Sequence, residues 1–549
     1  MWYAKERSTS MRRCVSLLWG GVLQEQAVLS RPAERAVVAS LLVPVTVAYL
    51  ALVPRVWQLT PDSALYMGLA RSLAEGEGYT FNFAPHAMVP PGFPLMLAGV
   101  RLTVGQNIWA MQALVAVCGV GALLAVYGLV KARAGFWPAL AIVLLTATNR
   151  WFVENSSRPL SDMPYTFLSL ALLWCAEREL RSARFSVTGW SVAAALGIAA
   201  IYTSFRGVVL VPAVLFGVIF ARWHSQRRRH RWVVAGLLGL VWTGAVLLWV
   251  ARGWALPSQA SYAGYHLAHA RTARYIRDAV CLRMREWAAA PFGIDGWHLW
   301  PGLAAGLLAL GIVPGLVKGV RAFRGCAEAY LCAYFVLFAF IIGPDPSGKP
   351  HPDMRYSVPV VPLLFYYGYL TLSTLAEWAG RTRRAPRLYR SLPVFAGSAV
   401  FIWGIAALAW WGFFIRPHVL RGKARSVASL EEAGQWAQCH IAPSDRICTE
   451  FARIAHVFTR RQAVELRLRS EERWGAFECV TQCRSEFLLV TRRPSPIRDD
   501  WRLRRVPADY PGKFSLRFSN ELLSIYHVDA QSVVDELGSG GAGAGDNHR

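Results

Sequence analysis

The chain has 549 residues, of which 54% are hydrophobic and 17% charged, with 23 Trp and a formal net charge of +25. That balance excludes an ordinary soluble domain, in which about a quarter of residues are charged, and points to a polytopic membrane protein. The positive charge does not mark a nucleic-acid partner, because much of it lies in short loops and no basic-aromatic recognition module accompanies it.

Residues 1–35 read as a cytoplasmic N-terminal tail. Within them, "MRRCVSLLWGGVL" has the charged start of a signal peptide but no convincing small-residue cleavage site before the next apolar run. From there to residue 414 the fold class is mainly α, with about 11 membrane-spanning helices. They are expected near 36–56, 107–131, 135–150, 163–180, 188–204, 206–222, 232–251, 299–317, 326–343, 356–377 and 392–414. Every second connection is basic: Lys131 and Arg133, "ERELRSAR", "RWHSQRRRHR", "KGVRAFR" and "GRTRRAPRLYR". The positive-inside rule places these loops and the N-terminus in the cytoplasm. The other loops and everything after 414 then face the outside of a plasma (inner) membrane. A transmembrane domain thus spans 36–414.

The first outer loop carries "TPDSALYMGLARSLAEGEGYTF". Thr60 is a good N-cap, Pro61 suits the first helical position and Gly76 is a natural stop. Leu65, Leu69 and Leu73 form one apolar stripe, so a helix lying along the membrane surface is expected, with Asp62 in its first turn. Two readings of Asp62 stand: a carboxylate that complements the helix dipole, or a base. The second outer loop, "ENSSRPLSDMPYTF", repeats the device with Asp162 before the next span. Two aspartates anchored at helix starts on one membrane face suit the activation of a hydroxyl.

Among cations, "GPDPSGKPHPDMRYSVP" holds Lys349, His351 and Arg355, followed by Tyr356. Arg206 sits in the short outer turn between two spans and needs a partner or an aqueous opening. The segment 252–298 breaks the charge asymmetry with Arg271, Arg274, Arg277, Arg283 and Arg285; it reads either as a surface helix facing lipid phosphates or as a solvated amphipathic helix. His351 with Asp353 lacks a clear third metal ligand. No cofactor is called for with certainty; a divalent metal stays open.

After residue 414 the pattern alternates between helix and strand. "SVASLEEAGQWAQCHI" is helical in spacing, while "RICTEF", "EFLLVTRR", "WRLRRV", "KFSLRF" and "LLSIYHV" read as strands, an extracytoplasmic α/β domain over 415–537. Cys439, Cys448, Cys479 and Cys483 fall there, where disulfides can form in any of three pairings. Residues 538–549, "GSGGAGAGDNHR", read as a flexible tail.

Three stretches together, "TPDSALYMGLARSLAEGEGYTF…VPPGFPLMLAG", "RPLSDMPYTFLSLALL" and "HPDMRYSVPVVPLLFYY", resemble the GT-C glycosyltransferases that use polyprenyl-phosphate sugars. The protein O-mannosyltransferase and lipid A aminoarabinose transferase group is the nearest in pattern. The resemblance implies transfer of a sugar from a lipid-linked donor to a lipid, glycan or protein acceptor, with inversion and without a sugar nucleotide. It implies Asp62 as the catalytic carboxylate, Asp162 as a second one, and Arg355 with Tyr356 near the donor phosphate. Some relatives carry Lys or His directly before the double proline of "VPPGFP", where this chain has Val89. His86 is the candidate to compensate; an ordinary loop histidine is the other reading. The competing function is a lipid-linked-sugar flippase or other transporter, which would carry charges deep within its spans.

Overall fold

The computed structural model describes residues 30–182, 185–220, 230–256, 273–295, 299–322, 325–338, 353–381, 386–466, 485–492, 501–510 and 512–529. Lys349, His351, Arg271, Cys479, Cys483, most of the N-terminal tail and the C-terminal tail lie outside the described residues.

Helix α1 (Arg31–Ala51) is capped by Ser30, whose hydroxyl accepts from the Ala33 amide. Helix α2 (Pro61–Ala74) follows, then a hairpin of β1 (Thr80–Phe81) and β2 (Ala84–Pro85). Asn82 and Phe83 between those strands both have positive φ, 57° and 62°, the geometry of a two-residue hairpin turn whose twist matches its strands. Helices α3 (Gly92–Val104), α4 (Ile108–Ala134), α5 (Phe136–Ala147), α6 (Arg150–Asn155) and α7 (Asp162–Arg181) come next. They are succeeded by α8 (Val187–Thr203), α9 (Leu210–Phe220), α10 (His230–Ala255), α11 (Ala273–Ala289), α12 (Pro301–Gly311) and α13 (Val313–Ala322). Helices α14 (Cys326–Val336), α15 (Val361–Arg381), α16 (Pro386–Trp410) and α17 (Arg416–His440) complete the helical part.

Among the described residues, 5 helical stretches are long and apolar enough to cross a membrane: 31–51, 108–134, 230–255, 301–322 and 393–440. The last joins α16 to α17 through a π-helical turn at Trp411–Ile415, so the rod runs 48 residues where a span ending at 414 was expected. Shorter apolar helices fill in, including α3, whose 13 residues the span pattern did not single out. One apolar core joins most of these helices. At its centre α4 presents Gly121 and Gly128, seven residues apart on one face; a Cβ there would stand 2.8 Å from Phe167 and 2.3 Å from Trp174 of α7. Small residues at these positions let the two helices approach closely.

The C-terminal part is a mixed sheet of β3 (Arg446–Thr449), β4 (Gln462–Glu465), β5 (Phe487–Thr491), β6 (Phe514–Ser519) and β7 (Leu523–Val528), in the order β4-β3-β5-β7-β6. Strand β3 runs parallel to β4 and β5, and β7 antiparallel to β5 and β6. Helix α18 (Ala452–Thr459) connects β3 to β4. The segment "WRLRRV" is not a strand: it lies in α19 (Trp501–Asp509). Pro507 has no amide to give to a ladder, and Val506 is 3% exposed, packed with Leu488, Val490 and Phe514.

A second departure concerns α2. Leu65 and Leu69 do not face lipid; they are 2% and 0% exposed and pack with Phe81, Tyr79, Val89 and Val457. The apolar stripe is real, but the hairpin and α18 cover it. Gly68 marks the closeness of that packing, since a Cβ there would lie 2.5 Å from the Phe81 ring.

Candidate active site

The loop entering α2 is fixed before the helix begins. Gln112 of α4 donates to the Pro54 carbonyl at 2.7 Å, and Gln58 donates to the Ser157 carbonyl and hydroxyl at 3.0 and 2.9 Å. Lys423 of α17 donates to the Leu59 carbonyl at 2.7 Å. Thr60 then caps α2 reciprocally with Ser63, at 3.1 and 2.8 Å. Asp62 therefore starts from a held backbone, and the same ties draw the segment around Ser157 beside it.

Asp62 receives two guanidinium groups. Arg355 Nη1 donates to Oδ2 at 2.9 Å, and Arg453 Nη1 donates to Oδ1 at 3.1 Å. Arg355 also pairs with Asp353 at 2.6 Å and donates to the Tyr356 hydroxyl at 3.1 Å. Burial opposes the Arg355 charge, but Asp353, Tyr356 and Asp62 together outweigh it and hold the guanidinium well above its usual range.

Asp162 is the first residue of α7 and is 3% exposed. Arg206 answers it, with Nη2 2.7 Å from Oδ1, and so has the partner its burial requires. The Arg206 guanidinium lies 4.9 Å from the Tyr165 ring and 5.5 Å from the Tyr356 ring, while Arg355 lies 4.9 Å from that same Tyr356 ring. Tyr356 thus links the pairs into one line: Asp62, Arg355, Tyr356, Arg206, Asp162. A further tie runs from the Tyr66 hydroxyl to Ser161 at 2.9 Å.

His86 does not join this line as a cation. It is 4% exposed, its Nε2 accepts from the Val89 amide at 3.2 Å, and burial pushes its pKa down to about 3, aided by Arg453 and Arg252. The ring is neutral and braces the turn before the double proline.

The arginine-rich helix α11 follows neither expectation as a whole. Arg277 is exposed and pairs with Asp278, but Arg283 is buried and pairs with Glu286. Glu286 in turn accepts from the Asp353 amide at 2.9 Å, so α11 buttresses the loop that carries Arg355. Among the described residues no group of three or more His, Cys, Asp and Glu side chains is placed to hold a metal.

A family model described as dolichyl-phosphate-mannose-protein mannosyltransferase matches residues 88–249. A search of curated proteins found no match. Among solved structures, ArnT from Cupriavidus metallidurans bound to undecaprenyl phosphate aligns at a TM-score of 0.56 and 15% identity, over 89% of this chain and 97% of that one. Its apo state aligns at 0.55 and 16%, over 90% and 99%. The archaeal oligosaccharyltransferase AglB from Archaeoglobus fulgidus, in complex with an inhibitory peptide and a dolichol-phosphate, aligns at 0.52 and 11%, over 82% and 69%.

The chain has the GT-C glycosyltransferase fold. In this GT-C chain the residue that pattern reading missed is Arg453, in the stretch "EFARIAHVF". Nothing in that stretch distinguishes Arg453 from a surface arginine; only the docking of α18 on α2 brings it to Asp62. A second buried ionic cluster, Arg133 with Glu177 and Glu328, lies at the other end of the GT-C helices α4 and α7, with charges at helix ends rather than within spans.

Proposed function

We propose that the protein is a membrane glycosyltransferase that moves a sugar from a polyprenyl-phosphate carrier to an acceptor hydroxyl on the extracytoplasmic face, with inversion at the anomeric carbon. The observation that carries this reading is the line of two ion pairs, Asp62 with Arg355 and Arg206 with Asp162, joined through Tyr356. The outward placement of this site and of the 415–537 region rests on the basic loops of the opposite face.

Asp62 is the base. An acceptor hydroxyl is a weak nucleophile until its proton is taken, and a carboxylate at the start of α2, 37% exposed, is open to it. The acceptor oxygen attacks the anomeric carbon, the proton passes to Asp62, and the bonding electrons leave on the lipid phosphate. That phosphate is a stable anion, so it needs positive charge more than a general acid, and Arg355 supplies it. Asp162 and Arg206, buried and mutually neutralised, orient the donor or acceptor through Tyr356. The clustering of charge at the ends of helices favours this chemistry over a transport path.

The test is transfer in vitro by the purified protein with labelled polyprenyl-phosphate sugar and a panel of acceptors, comparing wild type with Asp62→Asn. The variant should lose about 10²- to 10⁴-fold in rate. A folded D62N protein with normal transfer would remove Asp62 from the role of base.

A further inference from the structure

Asp62 faces a conflict in the site as described. A carboxylate bound by two guanidiniums is stabilised as the anion and is accordingly a reluctant base. Each of its oxygens accepts from one guanidinium, Oδ2 from Arg355 and Oδ1 from Arg453. Asp62 becomes the better base when one arginine finds another anion.

Arg453 is built to make that exchange. Its helix is clamped: the Asn82 amide donates to His456 Nε2 at 3.1 Å, Asn82 exchanges two bonds of 2.8 Å with Ala463, and Arg71 donates to the Val457 carbonyl at 3.3 Å. The guanidinium at the end of this rigid mount is 32% exposed and lies against the proline turn, with Nη2 3.4 Å from Met88 Sδ. The turn itself, "PHAMVPP", holds a single titratable group, the neutral His86. Two arginines bring positive charge to this turn, Arg252 beside Tyr79 and Arg453, and Arg453 is the one that bonds Asp62.

We propose that Arg355 and Arg453 form a two-arginine clamp for the phosphate of a polyprenyl-phosphate donor. Before the donor arrives the clamp closes on Asp62. When the lipid phosphate enters, Arg453 turns to a phosphate oxygen and frees Oδ1 of Asp62 for the acceptor hydroxyl. Base activation is thereby coupled to donor binding, and the carboxyl-terminal sheet region contributes a donor-binding residue. This inference rests on the glycosyltransferase reading above, and its test separates the two.

The full-length protein in nanodiscs is titrated with undecaprenyl phosphate and, in parallel, with undecaprenol, which lacks the phosphate. Arg453→Gln should weaken undecaprenyl phosphate about tenfold to a hundredfold, the range of one charge-assisted pair. It should leave undecaprenol unchanged, with Arg453→Lys recovering part of the loss. In transfer assays the donor KM of R453Q should rise more than kcat falls. Asp62→Asn, which removes the competing carboxylate, should bind undecaprenyl phosphate at least as tightly as wild type while losing transfer. Unchanged phosphate affinity in folded R453Q, or equal loss for phosphate and alcohol, overturns the clamp and leaves Asp62 as base standing. Failure of wild type to bind undecaprenyl phosphate overturns the donor reading itself, whereas normal transfer by D62N removes Asp62 as the base and with it the coupling of base activation to donor binding.

Discussion

Asp62 and Arg453 stand 391 residues apart in the chain and 3.1 Å apart in the fold. One belongs to the first helix after the first long apolar span, the other to a helix inserted between two parallel strands of the terminal sheet. Their meeting depends on the apolar seam between α2 and α18, in which Leu65, Leu69, Gly68 and Val457 take part.

That seam is pinned by Asn82. It holds a left-handed backbone at φ 57° and makes three bonds to His456 and Ala463. Asn82→Gly keeps the turn but removes the two side-chain bonds, and should lower thermal stability by about 1–3 kcal/mol. Because α18 loosens, transfer should fall as well, read as activity per folded molecule beside the melting curve.

His456 gives the seam a pH dependence. Burial pushes its pKa down to about 4, with Arg71 adding to the shift and the Arg461 carbonyl opposing it, so Nε2 stays free to accept from Asn82. The unfolded ring titrates near 6.5, so between that pH and about 4 the unfolded chain binds the extra proton. The stabilisation is complete above 6.5 and is lost as pH falls toward 4, about 3 kcal/mol in all. The difference in melting temperature between wild type and His456→Gln should accordingly shrink across that window; a difference independent of pH would refute the neutral-histidine account.

Tyr356 is predicted to act through both its ends. Tyr356→Phe removes the hydroxyl that accepts from Arg355 at 3.1 Å but keeps the ring that Arg206 faces at 5.5 Å. Transfer should drop about tenfold, the value of one charge-assisted bond. Tyr356→Ala, which also separates the two ion pairs, should drop further, measured as kcat/KM for the donor.

The Arg133 cluster makes the opposite prediction. Its guanidinium is fully buried, bound to Glu177 and to Glu328 and close to Tyr367. Arg133→Met leaves two acidic groups short of a buried partner and should cost about 3–5 kcal/mol of stability. Glu177 lies about 22 Å from Asp162 along α7 at about 1.5 Å per residue. Transfer per folded molecule should stay within about twofold of wild type, well under the tenfold that one transition-state contact of about 1.4 kcal/mol represents.

The apolar runs were legible because each needs only its own length and composition, and the caps of α2 were legible because they lie within a few residues of one another. Asp62, Asp162 and Arg355 stood out for the same local reason, each next to a helix start or a proline-rich loop. The destination of an exposed-looking stripe was not legible: Leu65 and Leu69 fit a lipid surface as well as a protein one, and Val506 fits a helix face as well as a strand.

The sequence by itself determined a helical membrane protein with two aspartates at helix starts, since periodicity, capping and charge asymmetry act between near neighbours. Only the tertiary structure decided which cations meet those aspartates. It turned His86 inward as a neutral brace and assigned Arg206 to Asp162. It also brought Arg453 across the chain to Asp62. Ion pairing over a few ångströms depends on how distant helices dock, and no local pattern of residues encodes that distance.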